Sequence, residues 1–242
     1  MNFAAITSMN EAYYKHVGKS MLGSFKKNWS HLFPMHVYNE DNFLIKVKTI
    51  ESMGWDLGDH YKLFQQRHTN RKILQFSKKA FSIIKAMEEI DCDRLIWIDA
   101  DTIIKKEIPL QLLELMSPDD VLSSHFSVWH EVDGKKYHSC ETGFFILNKK
   151  HPGFNKFYSM YKTIYENDIT HDLRRFYDGE VYGKTVEHMK STYKVLNLNT
   201  GKFKTPIPRS VLAPYIDHLK AGAKDDFTNE KIEKLYNLES EE

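Results

Sequence analysis

Cysteine is nearly absent: Cys92 and Cys140 are the only two in 242 residues. A disulfide framework needs more of them and a zinc site needs them closely spaced, so neither is expected; one bridge is the most the count allows, and reduced thiols are the simpler reading. Long apolar runs are also missing. No stretch reaches the roughly 18 apolar residues of a membrane span, and the N-terminus has no basic start followed by an apolar run, so the expectation is a soluble, cytoplasmic protein. Charge of one sign is not in excess, with 34 basic against 33 acidic residues. That balance gives no bulk attraction to a polyanion, and nucleic acid is not an expected partner. Glycine is sparse, and no Gly-rich loop follows the first apolar segment, which argues against a triphosphate cradle there. No repeat or low-complexity tract occurs.

What is present is a 41% apolar, 13% aromatic chain, enough to bury one full core. A single domain over residues 1–225 is expected, followed by a charged helix or tail over 226–242. Residues 3–7 read as a buried strand, and 13–29 carry apolar residues at helical spacing (Val17, Met21, Leu22, Phe25). Residues 34–38 read as a second strand and 43–50 as the start of a helix. The pattern weakens over 54–71, which predicts a loop. From 73 to 90, Phe76, Ala80, Ile83, Ile84 and Met87 recur every three or four residues, as in an amphipathic helix. Leu95-Ile96-Trp97-Ile98 is an unbroken apolar run suited to a central strand. Residues 121–128 and 143–147 read as strands joined through a turn at Asp133-Gly134, and 154–165 as a helix. The last third, with Pro206, Pro208 and Pro214, reads as loops around short strands. The alternation predicts an α/β fold with a mostly parallel sheet, whose ligand crevice lies at the carboxyl ends of its strands.

The apolar run 95–98 ends in Asp99-Ala100-Asp101. Side chains alternate along a strand, so both carboxylates are expected on one side. Two buried like charges raise each other's pKa, and desolvation adds to the penalty. A divalent ion offsets it. Oxygen ligands suit Mg²⁺ or Mn²⁺, which keep positions open for substrate phosphates. A short D-x-D also occurs as a helix cap or strand end; the preceding strand and helix favour the metal reading.

With these residues the chain resembles the metal-dependent glycosyltransferases of the GT-A fold, a Rossmann-like architecture, and most closely their glycogenin-like, retaining group. The resemblance runs from residue 3 to about 224. Phe3 to Tyr13 is similar to that family's first strand and nucleotide-binding turn, which implies that Thr7 and Tyr13 contact the base. Ser77-Lys78-Lys79 is similar to the place of a lysine facing the donor; which of Lys78 and Lys79 corresponds is open. Leu95 to Thr102 resembles the metal motif, which implies that Asp99, Ala100 and Asp101 meet metal and donor. His218-Leu-Lys-Ala-Gly222-Ala-Lys224 resembles an H-x-x-G-x-x-K element, implying His218 as a metal ligand with Gly222 and Lys224 at the diphosphate. Here the His-to-Gly spacing is four, where the family has three, and Asp225-Asp226 replaces a Pro-Trp. Asp178-Gly179-Glu180 stands where the family has Asp-Gln-Asp, and Glu141-Thr142-Gly143 where it has a small-residue turn. Asp178, Glu180 and Glu141 are thereby the candidate catalytic or sugar-facing carboxylates.

The resemblance implies transfer of a sugar from a nucleotide-sugar donor, UDP-linked, to a saccharide or other hydroxyl acceptor, with Mn²⁺ or Mg²⁺ as cofactor. Competing readings are a haloacid-dehalogenase-like phosphatase with Asp99 as nucleophile, a nucleotidyltransferase, and a non-catalytic nucleotide-sugar-binding protein. Against the phosphatase, the motif lies about 100 residues into the chain and is followed by Thr102-Ile103 in place of Gly and Thr.

Overall fold

The computed structural model describes residues 1–45, 47, 49–171, 173–219 and 229–236. The opening segment Phe3–Met9 is mostly apolar and forms β1, buried along nearly its whole length; a strand of that kind belongs inside a sheet covered on both faces. It pairs in parallel with β2 (Met35–Asn39) on one side and β4 (Arg94–Ile98) on the other. Outside β2, and parallel to it, lies β3 (Ile50–Met53). β7 (Lys135–Asn148) runs antiparallel to β4 and to its hairpin partner β6 (Ser123–Val132), which pairs in parallel with β8 (Leu196–Asn197). The result is a mostly parallel seven-stranded sheet in the order β3-β2-β1-β4-β7-β6-β8. The hairpin turns at Asp133 and Gly134, whose φ angles of 52° and 74° are the left-handed pair a two-residue turn requires. A separate antiparallel pair joins β5 (Thr102–Ile104) to β9 (Ile216–His218).

Strand alternation divides the core into two layers. Ala4, Ile6, Leu95, Trp97, Phe145 and Leu147 face α3 (Gly58–Arg67), α4 (Arg71–Glu89), α6 (Phe154–Glu166) and α7 (Asp178–Met189). Phe3, Ala5, Ile96, Ile98, Phe144 and Ile146 face the other way, toward α2 (Lys19–Asn28) and α5 (Leu110–Met116). A short α1 (Glu11–Tyr13) runs into α2 through a π-helical turn at Tyr14–Gly18. α8 (Asn229–Tyr236) is the last element described. No described helix is long and apolar enough to cross a membrane.

Three sequence expectations are corrected. The described residues of 43–50 form no helix: Asn39 holds Phe43 through both its amide nitrogen and its oxygen, Asn42 and Thr49 take positive φ of 52° and 73°, and the chain enters β3 instead. Left-handed residues interrupt any helix there. The expected loop at 54–71 contains α3, whose signal is faint because only Tyr61 and Phe64 are buried. Helix α7 was hidden by Gly179 and Gly183, which lower helix propensity yet sit where a Cβ would come within 2.5 Å of the Cys140 carbonyl oxygen and 2.7 Å of the Ser139 Cα.

Candidate active site

The apolar run of β4 stops at Ile98 because the next backbone groups serve a turn. Asp99 N–H donates to the Gly143 carbonyl of β7 at 2.9 Å, and Thr102 N–H donates back to the Asp99 carbonyl at 3.0 Å. This turn, and not the pleat of a continuing strand, brings the Asp99 and Asp101 carboxylates together. Pairing of β5 with β9 sets Thr102 opposite His218, and Leu219 N–H donates to the Asp101 carbonyl at 2.9 Å. His218 Nε2 consequently lies 3.2 Å from Asp101 Oδ1 and 3.5 Å from Asp99 Oδ2. Ligand atoms from Asp99, Asp101 and His218 all fall within 4.8 Å of one another.

The three groups line a cavity of about 760 Å³ at the carboxyl ends of β1 and β4. The last residues of β1 and the loop after it (Ser8, Met9, Asn10), Tyr13, and the α4 face carrying Arg71, Gln75, Lys78 and Lys79 close one part. Glu141 and Asp178 close another. Asn10 caps α1, accepting the Tyr13 N–H at 2.7 Å, and so fixes where that ring enters. Burial, then the charge of Asp101 and a hydrogen bond to it, holds the Tyr13 phenol far above its ordinary pKa, so it stays a hydrogen-bond donor.

Lys78 and Lys79 part company because consecutive helix residues point about 100° apart. Lys78 pairs with Glu40 at 2.6 Å and remains a third exposed. Lys79 turns under the cavity floor and meets Asp99 Oδ1 at 2.6 Å, the Thr142 carbonyl at 2.6 Å and Asp178 Oδ2 at 3.1 Å. Burial pulls the Lys79 pKa down, and the two carboxylates outweigh it, so the ammonium stays charged. Asp99 also accepts from Trp97 Nε1 at 2.7 Å. Burial would raise its pKa, but Lys79 and His218 hold it well below the usual carboxylate range. For His218, burial lowers the pKa and the hydrogen bonds to Asp101 and Asp99 raise it further, leaving it at about 9. A proton on His218 thus supplies part of the positive charge that the paired carboxylates demand.

The remaining sequence candidates divide. Ala100 lines the cavity beside the two aspartates. Asp178, first residue of α7, faces the cavity and accepts the Thr142 hydroxyl at 2.6 Å. Glu180 does not line it: its carboxylate takes Arg174 at 3.0 Å and the Arg175 N–H at 2.7 Å, bracing the segment that enters α7. Thr7 is fully buried, its hydroxyl has no partner among the described residues, and its neighbour Ser8 reaches the cavity instead. Gly222 and Lys224 lie outside the described residues. Trp97, read from the sequence only as part of a strand, and Thr142, read only as part of a turn, orient the site's aspartates, and Gly143 of that same turn admits the His218 ring through its missing side chain. A tryptophan two residues before the motif, on the same face of β4, was the available signal for the first.

The donor set, two carboxylates and an imidazole converging in a polar cavity, fits a hard divalent ion.

No protein-family profile and no curated protein sequence matches the chain. Solved structures do. A glycosyltransferase involved in glycosylation of the major capsid of PBCV-1 is similar over 97% of this chain and 100% of its own, with TM-score 0.55 and 13% identity. The galactosyltransferase LgtC, solved with donor and acceptor sugar analogs, is similar over 99% and 97%, with TM-score 0.56 and 13% identity. GlyE of Streptococcus pneumoniae is similar over 99% of this chain and 61% of its own, with TM-score 0.51 and 15% identity. At such identities the shared property is the fold, and it is the GT-A fold.

Proposed function

We propose that the chain is a metal-dependent glycosyltransferase of the glycogenin-like group, moving a sugar from a UDP-linked donor to a saccharide or other hydroxyl acceptor. The convergence of Asp99, Asp101 and His218 on the floor of a cavity at the strand ends carries the reading. On it, these three residues would hold Mn²⁺ or Mg²⁺. Such an ion, when bound, neutralises charge on a departing diphosphate as a Lewis acid.

The chain's own groups supply the rest. Lys79 holds Asp99 by one oxygen and Asp178 by another, fixing their separation. Asp178 spends Oδ2 on Lys79 and Thr142, which turns Oδ1 to a sugar hydroxyl. Tyr13, with Ser8 and Asn10, borders the part of the cavity assigned to the base, and Arg71 stands at the rim with its guanidinium available to phosphate. Lys224 and Gly222 keep the diphosphate role that the resemblance implies. Gly179 has no side chain where the group carries an amide, so Asp178 is the carboxylate on the sugar side.

A thermal-shift panel of UDP- and GDP-sugars, with Mn²⁺ and with chelator, tests the reading, since a ligand of the native state raises its apparent stability. UDP-sugars with Mn²⁺ should stabilise the wild type, and Asp101→Asn should lose the effect while keeping its fold. Equal nucleotide affinity in that variant would refute the assignment.

A further inference from the structure

We infer that Glu141 is a positioning residue for His218, holding its imidazole so that Nε2 faces the Asp99–Asp101 pair; this rests on the metal reading above. The ring presents Nε2 to Asp101 at 3.2 Å and to Asp99 at 3.5 Å. For Nε2 to offer its lone pair to a cation, the proton of the neutral ring must reside on Nδ1. Nδ1 is buried and makes no hydrogen bond among the described residues. The acceptor standing beside it is Glu141 Oε1, at 3.6 Å. A buried N–H without an acceptor is costly, and a few tenths of an ångström bring this carboxylate into range.

The backbone explains why Glu141 is so placed. Residues two apart on a strand share a face, and on β7 these are Glu141 and Gly143. A Cβ on Gly143 would fall 2.6 Å from His218 Cε1 and 2.7 Å from Nδ1, so the ring lies directly against that glycine. Glu141, one step along the same face, reaches the ring edge that Gly143 leaves open. The same short segment also holds Asp99, through the Gly143 carbonyl and, by way of Lys79, the Thr142 carbonyl. Glu-Thr-Gly thus sets both the carboxylate and the imidazole of the cluster. Acceptors on the remote nitrogen of ligating histidines fix the tautomer and strengthen the ligand, and their loss costs about 10- to 100-fold in metal affinity.

The test measures Mn²⁺ binding by the electron paramagnetic resonance of the free ion, for wild type, Glu141→Ala and Glu141→Gln, with circular dichroism to confirm folding. Glu141→Ala should weaken Mn²⁺ about 10-fold or more, and Glu141→Gln, which keeps a carbonyl acceptor, should recover most of it. Long-range ¹⁵N spectra of Mg²⁺-loaded protein should show the His218 proton on Nδ1 in wild type and a mixture of tautomers in Glu141→Ala. Mn²⁺ affinity within twofold of wild type in folded Glu141→Ala, with turnover lost, would overturn the inference and make Glu141 a sugar contact. Absence of Mn²⁺ binding by the wild type would overturn the metal reading and this inference together.

Discussion

Replacing Lys79 by Met keeps the length of the side chain and removes its charge from beneath the cavity. The ammonium lies 2.6 Å from Asp99 and 3.1 Å from Asp178, with the lysine side chain 12% exposed. Breaking a buried pair by deleting one member leaves an uncompensated charge and costs about 3–5 kcal/mol. Two features oppose a larger loss: Trp97 still donates to Asp99 at 2.7 Å, and Thr142 to Asp178 at 2.6 Å. For a chain of this size each kcal/mol moves the melting point by about 2–4 °C, so a drop of about 6–20 °C is expected. Lys78→Met is the internal comparison. Its ammonium is equally close to a carboxylate, Glu40 at 2.6 Å, but the lysine is 33% exposed against 11% for Glu40, so water answers part of its charge and a smaller loss than that of Lys79→Met is expected. Both variants should be unfolded in urea with chelator present, so that no added cation masks the loss. Mn²⁺ should then restore more stability to Lys79→Met than it adds to wild type, because the variant leaves more negative charge unanswered. A loss below about 1 kcal/mol in Lys79→Met, or equal losses in the two variants, would show that the ammonium does not neutralise the floor of the site.

Gly179→Ala should cost about 1–3 kcal/mol, since its Cβ would lie 2.5 Å from a backbone oxygen of β7; Gly23→Ala in α2, whose Cβ would meet nothing within 4 Å, should gain about 0.5–1 kcal/mol. Melting curves decide both, and an undisturbed Gly179→Ala would mean α7 does not pack against β7 as described. Acid stability turns on His125, buried against Ser127 and His138, whose pKa burial and then the neighbouring His138 push down to about 3. As pH falls below about 6.5 the unfolded chain takes up this proton and the native one does not, so stability declines by up to about 1.4 kcal/mol per pH unit. Urea titrations between pH 6.5 and 4 should show a shallower decline in His125→Gln than in wild type; parallel lines would remove His125 from the acid response.

The parts of the fold legible in the sequence are those where one physical signal dominates. β1 and β4 are short, mostly apolar segments, and α4 carries a regular apolar stripe, so burial alone identifies them. The D-x-D at the end of β4 was legible for the same reason: charge following an apolar strand marks where a core opens. What escaped depends on contacts distant in sequence. α7 is a helix in spite of Gly179 and Gly183 because β7 approaches too closely for any side chain there, and no local propensity records that approach. Nor does helical phase alone tell Lys78 from Lys79; the difference arises from Asp178 and Glu40, one on α7 and the other at the end of β2.

The site shows the same limit in sharper form. Alternation along a continuing strand put Asp99 and Asp101 on one side, but the chain leaves the strand at Asp99 and reverses, and a turn closed by Thr102 N–H gathers them. His218 reaches them only through pairing of β9 with β5 across 116 residues of sequence, register no motif encodes. The D-x-D thus pointed to two members of the cluster, and the third, His218, came from the resemblance. Its spacing departs from the family's, yet the histidine is set by a strand pair upstream of Gly222. The Asp99, Asp101 and His218 geometry therefore rests on the pairing of β5 with β9 and not on the interval between His218 and Gly222.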